Sequence, residues 1–139
     1  MLVVAGALID REGCVLIAQR PAGKHMAGRW EFPGGKVAAG ETEAAALSRE
    51  LREELGVEVI ASRHLMRQAH SYDHGRHVEL SLWIVESFNG VPQSLDGQRL
   101  KWVQPARLGD EDLLEADRPF VAAVASACTM KAMQAKPTH

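Results

Sequence analysis

The chain has 139 residues, 46% of them apolar and 24% charged, with a formal net charge of −2. That length fits one domain with a sizeable hydrophobic core. The near-neutral balance excludes a chain-wide attraction to nucleic acid or an anionic membrane, so a polyanionic partner would need local basic groups or a bridging metal.

The first residues, MLVVAGALID, lack the basic leader and long apolar region of a secretory signal, and no run approaches the ~18 apolar residues of a membrane span. The expectation is a soluble, cytoplasmic protein. LVVAGALI (residues 2–9) and CVLIAQR (residues 14–20) flank the turn DREG and read as a hairpin of buried strands. Cys14 reads as a small core residue; it shares no metal-like spacing with Cys128, and both are expected reduced. PAGKHMAGRW is a loop, and EFPGGKVAAGE reads as another because Pro33 and the Gly34–Gly35 pair punctuate regular structure. A helix is predicted from Thr42 to Gly56, with Glu43 in its first turn and Gly56 as C-cap. Its buried stripe is Ala44, Leu47, Leu51 and Leu55.

VEVIASRHL and HVELSLWIVES read as strands around the turn SYDHGR, and LKWV as a shorter one. A helix over residues 118–135 and a frayed tail over 136–139 complete the chain. The sum is a single α/β domain over residues 1–135, with a mixed β-sheet sandwiched between α-helices. His70, His74 and His77 cluster without a cysteine partner and read as a polar hairpin end rather than a zinc site. Trp30, Trp83 and Trp102 are too scattered for a nucleic-acid stacking platform. Glu111, Asp112 and Glu115 fall in a loop or short helix and read as solvated.

Residues 34–57, GGKVAAGETEAAALSRELREELGV, carry five glutamates. At about 100° per residue, Glu50, Glu53 and Glu54 fall on one arc of the helix, beside the leucine stripe. Like charges one turn apart destabilise a helix, more so where water access is limited. Arg49 and Arg52 can neutralise part of this charge but not all three carboxylates. RELREEL alone is an ordinary solvated face. Its frame is not ordinary: five residues separate Gly35 from Glu41, seven separate Glu41 from Arg49-Glu50-Leu51, and Glu53-Glu54 and Gly56-Val57 follow in register. A hard divalent cation, which takes carboxylate and phosphate oxygens, accounts for the charge.

That frame, G-x5-E-x7-R-E-U-x-E-E-x-G-U with U aliphatic, resembles the Nudix box at every defined position. HMAGRWEFPGGK, GRHVELSLWIVESFNG and EADRPFV resemble the MutT-type nucleoside triphosphate pyrophosphohydrolases of that family. The resemblance implies a Nudix fold and hydrolysis of a nucleoside triphosphate, 8-oxo-dGTP foremost, to the monophosphate and pyrophosphate. It implies Mg2+, with Mn2+ as a substitute. The partner implied is a free nucleotide, not a nucleic-acid polymer or a membrane, for a monomer or weak homodimer. A nucleotide-binding module without catalysis is the competing class, though such modules usually lose box carboxylates.

By the same resemblance the metal ligands are Glu50, Glu53, Glu54 and the carbonyl of Gly34. Asp96 stands where the pattern carries a further acidic residue, usually Glu; equally, it is a turn residue before Gly97. Glu53 is favoured as general base with Glu50 and Glu54 as main ligands, and Glu50 is the second catalytic candidate. Gly35, Glu41, Arg49 and Gly56 support the box, Glu41 acting through Arg49. Arg20, Glu31, Phe32, Lys36 and Asp117 are expected to meet the nucleotide. Asp117 departs from the MutT-type pattern, which carries Asn there. An ionised aspartate only accepts hydrogen bonds, which fits guanine N1–H or a cytosine amino group. Asp117 is also a good N-cap for a helix beginning at Arg118. Cytidine-type triphosphates are therefore the alternative substrates.

Overall fold

The computed structural model describes residues 1–72 and 75–135, so His74 and the expected tail lie outside the described residues. In chain order the elements are β1 (Leu2–Leu8), β2 (Val15–Gln19), β3 (Trp30–Glu31), β4 (Gly34–Lys36), α1 (Glu43–Leu55), β5 (Glu58–Ser71), β6 (His77–Asn89), β7 (Arg99–Val103) and α2 (Val121–Ala135). Two 3-10 segments, Pro105–Asp110 and Glu115–Phe120, precede α2.

β1 lies inside a mixed sheet of order β4-β1-β6-β5. It runs parallel to β6, with Leu2 opposite Glu79 and Leu8 opposite Val85, and antiparallel to β4. Both its faces are covered, which is why its sequence is a continuous apolar run instead of an alternation. Val4 and Leu8 join Leu47, Leu51 and Leu55 of α1 in one core. Ala5 and Ala7 face a second core with Leu108, Phe120 and Val124, on the α2 side. The result is the expected α/β/α arrangement. Among the described residues, no helix is long and apolar enough to cross a membrane.

The expected hairpin of the first two strands does not form as a ladder. β1 has β4 on one edge and β6 on the other, so β2 has no edge to join. It pairs instead with β3 and β7 in a three-stranded antiparallel sheet. The Ile9–Val15 bridge and the Asp10 N–H to Cys14 carbonyl bond, 3.0 Å, mark where the two strands part. Cys14 is half-buried rather than core, and both cysteines are free thiols.

The segment read as loop before the helix contains β3 and β4. Local punctuation did not decide it, because β4 is made by its distant partner: Val3, Val4 and Ala5 pair with Lys36, Gly35 and Gly34. Helix α1 matches its expected bounds. Thr42 Oγ1 accepts the Ala45 N–H at 3.1 Å, and the Gly56 N–H returns to the Arg52 carbonyl at 3.0 Å. Ala46, not the expected Ala44, is buried at its N-terminal end; a helical wheel assumes cover along the whole axis, and the first turn lacks it.

The C-terminal helix begins at Val121 and not Arg118. Pro119 has no N–H and disfavours helical backbone at Arg118, so a 3-10 segment occupies that stretch. Glu111 is half-buried beside Lys101 instead of fully solvated.

Candidate active site

A cavity of about 360 Å³ opens where the ends of several elements meet. Arg20 reaches it from the end of β2, Glu31 and Phe32 from β3 and its exit, Gly34 to Lys36 from β4, and Glu54 from α1. Asp96 and Gln98 come from the loop before β7, and Asp117 from the second 3-10 segment. Elements far apart in sequence thus share one space.

One end of the cavity is acidic. Glu54 has its carboxyl pushed up to about 8, first by burial and then by the charges of Glu50, Glu31 and Asp96; a backbone bond from Gly34 offsets part of this. Glu50 and Glu53 do not line the cavity directly. The Glu50 side chain is 16% exposed and lies against Gly35, whereas Glu53 is 59% exposed on the outer flank. Arg49 serves both: Nη1 is 3.0 Å from Glu50 Oε1 and 3.4 Å from Glu53 Oε2. Its other nitrogens hold Glu41 in a two-pronged pair at 2.8 and 2.9 Å. That pair, with the Ala38 N–H, holds the Glu41 carboxyl down to about 2. Arg49 Nη2 also donates to the Lys36 carbonyl at 3.1 Å, tying α1 to β4.

Two glycines let these elements approach. A Cβ on Gly34 would sit 2.0 Å from the Val4 carbonyl oxygen, and one on Gly35 would sit 2.3 Å from Glu50 Cδ. Gly56 is the C-cap of α1 and lies away from the cavity.

The donor set fits a hard divalent cation. Glu31, Glu50, Glu54 and Asp96 bring carboxylate oxygens to one region, and the resulting repulsion at Glu54 is what a cation relieves. Among the described residues no three acidic, His or Cys side chains already converge tightly enough to hold an ion.

The other end is organised around Asp117, which is only 4% exposed. Its Oδ2 accepts the Phe32 N–H at 2.8 Å. It therefore braces the β3–β4 connection and does not cap a helix at Arg118, as its sequence position allowed. Burial lifts its carboxyl to about 8; the Phe32 bond opposes this, Glu31 adds to it, and Arg20 offsets part. Arg20 spans the cavity wall, with Nε 2.7 Å from the His25 carbonyl and Nη1 3.1 Å from Glu31 Oε2. Glu31 is raised by burial against the pull of Arg20 and Lys24. Phe32 is buried in the α2-side core while also lining the cavity, and Lys36 is exposed at its mouth.

Sequence reasoning missed Lys24 and Gln98, both in the wall. It also missed Tyr72, whose phenol is raised by burial and then by Asp117. Lys24 sits in a glycine-rich loop with no pattern around it. The side-chain partners of Gln98 lie at residues 54, 94 and 96, so no local periodicity reveals it.

A family model for the NUDIX domain matches residues 4–123. The chain is 46% identical over 125 residues to a putative 8-oxo-dGTP diphosphatase 2 of Mycobacterium tuberculosis, covering 89% of this chain and 87% of that protein. It is 41% identical over 123 residues to the CTP pyrophosphohydrolase of Escherichia coli, covering 88% and 90%. Among solved structures it is similar to a MutT from work on the Aliivibrio salmonicida and Vibrio cholerae proteins. The TM-score there is 0.77 at 35% identity, covering 90% of this chain and 96% of the other.

Proposed function

The chain belongs to the NUDIX domain family and is a Nudix nucleotide hydrolase, and from that premise we propose that it takes 8-oxo-dGTP foremost, releasing the nucleoside monophosphate and pyrophosphate. Support comes from the diphosphatase relatives and from one observation at the base end. Asp117 is buried with its carboxyl raised to about 8, and that burial favours its protonated form. A protonated carboxyl offers a donor as well as an acceptor, as an asparagine amide does. The aspartate thereby meets the same two-sided edge of an oxidised guanine that the Asn of the MutT-type pattern would meet.

Nudix hydrolases work with a divalent metal, here proposed as Mg2+ with Mn2+ as substitute. We assign Glu50, Glu54, Asp96 and the Gly34 carbonyl to hold it, with Glu53 reinforcing the charge from the flank. When bound, the metal neutralises phosphate oxygens and lowers the pKa of water. The chain supplies the rest. Glu50 is assigned the proton of the attacking water, supported by the Glu41–Arg49–Glu50 chain of bonds that fixes its carboxylate. Glu53, the first expectation for this proton, stands as the alternative base. Lys36 and Arg20 are assigned to the phosphates and Phe32 to the base. The net charge of −2 favours a free nucleotide over a polymer.

The cytidine-type alternative rests on the CTP pyrophosphohydrolase relative and on an Asp117 carboxyl oxygen as an acceptor for a cytosine amino group. Pyrophosphate release with Mg2+ present, across 8-oxo-dGTP, dGTP, CTP, 5-methyl-dCTP and ADP-ribose, separates the two. The expected result is the highest kcat/KM for 8-oxo-dGTP. A preference for the cytidine nucleotides moves the assignment to the alternative, and turnover of ADP-ribose alone overturns the triphosphate class.

A further inference from the structure

We propose that Gln98 is a positioning residue whose buried amide ties the Asp96 loop to the last turn of α1 and so sets Asp96 opposite Glu54. The inference deepens the site described above and rests on Asp96 and Glu54 being among its working acids.

Residues 91–98 contain no helix or strand, so a regular ladder does not place Asp96. Gln98 is 8% exposed between exposed neighbours. Its Oε1 accepts the Ser94 hydroxyl and the Asp96 N–H, each at 3.0 Å. Its Nε2 donates to the Glu54 carbonyl at 3.3 Å. One planar amide thus grips the backbone of both acids. Backbone bonds reinforce the seam: Gln93 N–H to the Leu55 carbonyl at 2.9 Å and Leu95 N–H to the Glu54 carbonyl at 3.1 Å. These carbonyls belong to the helix end, where intrahelical partners run out. The loop satisfies them and the helix in turn fixes the loop.

Chemistry favours an amide at this place. Each of its two ends meets a different need: an acceptor for two loop donors and a donor for a helix carbonyl. A carboxylate would meet only the first need and would add charge beside Glu54 and Asp96. An alkyl side chain would leave the Ser94 hydroxyl and the Asp96 N–H without this acceptor and the Glu54 carbonyl with the Leu95 N–H alone. Groups that orient a metal-site acid commonly change metal affinity by about 10-fold or more when removed.

The test is a double-mutant cycle of Gln98→Ala with Asp96→Ala, following kcat on the nucleoside triphosphate, Mn2+ affinity by electron paramagnetic resonance, and urea unfolding. A positioning role predicts that Gln98→Ala weakens Mn2+ binding about 10-fold and lowers kcat, and that it changes neither by more than about 2-fold once Asp96 is alanine. Gln98→Met keeps the bulk and adds no charge while losing both the loop acceptor and the donor to Glu54. It covers the case of an alanine variant that unfolds, and its effect is expected to vanish equally in the Asp96→Ala background. Equal losses in both backgrounds, or lowered stability with Mn2+ affinity intact, overturn the inference. An Asp96→Ala protein with normal turnover and Mn2+ affinity instead refutes the assignment of Asp96 itself.

Discussion

Asp117 is shut off from solvent, and its hydrogen bond from the Phe32 amide does not repay the lost hydration. Its carboxyl rises from an ordinary 3.8 to about 8. Between those values the unfolded chain has released the proton and the folded chain still holds it. Stability from this group is therefore complete below about pH 4 and falls as pH rises toward 8. Glu54, also raised to about 8, adds to the same slope. Urea unfolding of the wild type is expected to lose more than about 1 kcal/mol between pH 5 and 8. Asp117→Asn removes one share of that loss and keeps 8-oxo-dGTP turnover, since the amide retains both hydrogen-bonding roles. An unchanged pH slope in the Asn variant would mean that Asp117 titrates normally. None of this was readable at Asp117 itself. The sequence offers a favoured helix cap before Arg118; Pro119 and the packing of Phe32 decide otherwise.

β4 and α1 show two different relations between sequence and element. α1 was legible because its signals are local: a Thr cap, a leucine stripe at helical spacing, and glycine at the end. The fixed spacing of its carboxylates carried the chemistry as well. β4 was not legible, because Gly34-Gly35-Lys36 has no strand propensity and becomes a strand only against β1. The same long-range competition for the edges of β1 undid the expected hairpin. The two glycines of β4 separate fold from function. Gly34→Ala drives a methyl into the Val4 backbone, 2.0 Å from its oxygen, and is expected to destabilise by about 2–4 kcal/mol. Gly35→Ala meets the carboxyl end of the Glu50 side chain, which can rotate aside at the loss of its bond to Arg49. Its expected cost is under about 1.5 kcal/mol in urea unfolding, with kcat down at least about 10-fold because the displaced carboxylate is the assigned base. Equal stability losses for the two variants would contradict this division.

At the scale of the molecule, two cores on opposite faces of β1 fix the helices, and the cavity lies where elements carrying residues 20 to 117 come together. The acid end of the site was legible from the box, and Arg20, Glu31, Phe32 and Lys36 from its surroundings. Lys24 and Gln98 were not, since only the tertiary fold brings them to the wall. The acid end also stores instability: Glu54 is a half-buried carboxyl among Glu50, Glu31 and Asp96, a cost a protein bears where it binds a cation. The most direct measurement is Glu54→Gln, comparing pyrophosphate release from 8-oxo-dGTP with Mg2+ and the melting temperature without metal. A cation site built on Glu54 predicts a kcat loss of about 10²-fold or more together with an unchanged or raised metal-free Tm. Turnover within about 2-fold of wild type, on a protein that folds normally, would contradict it.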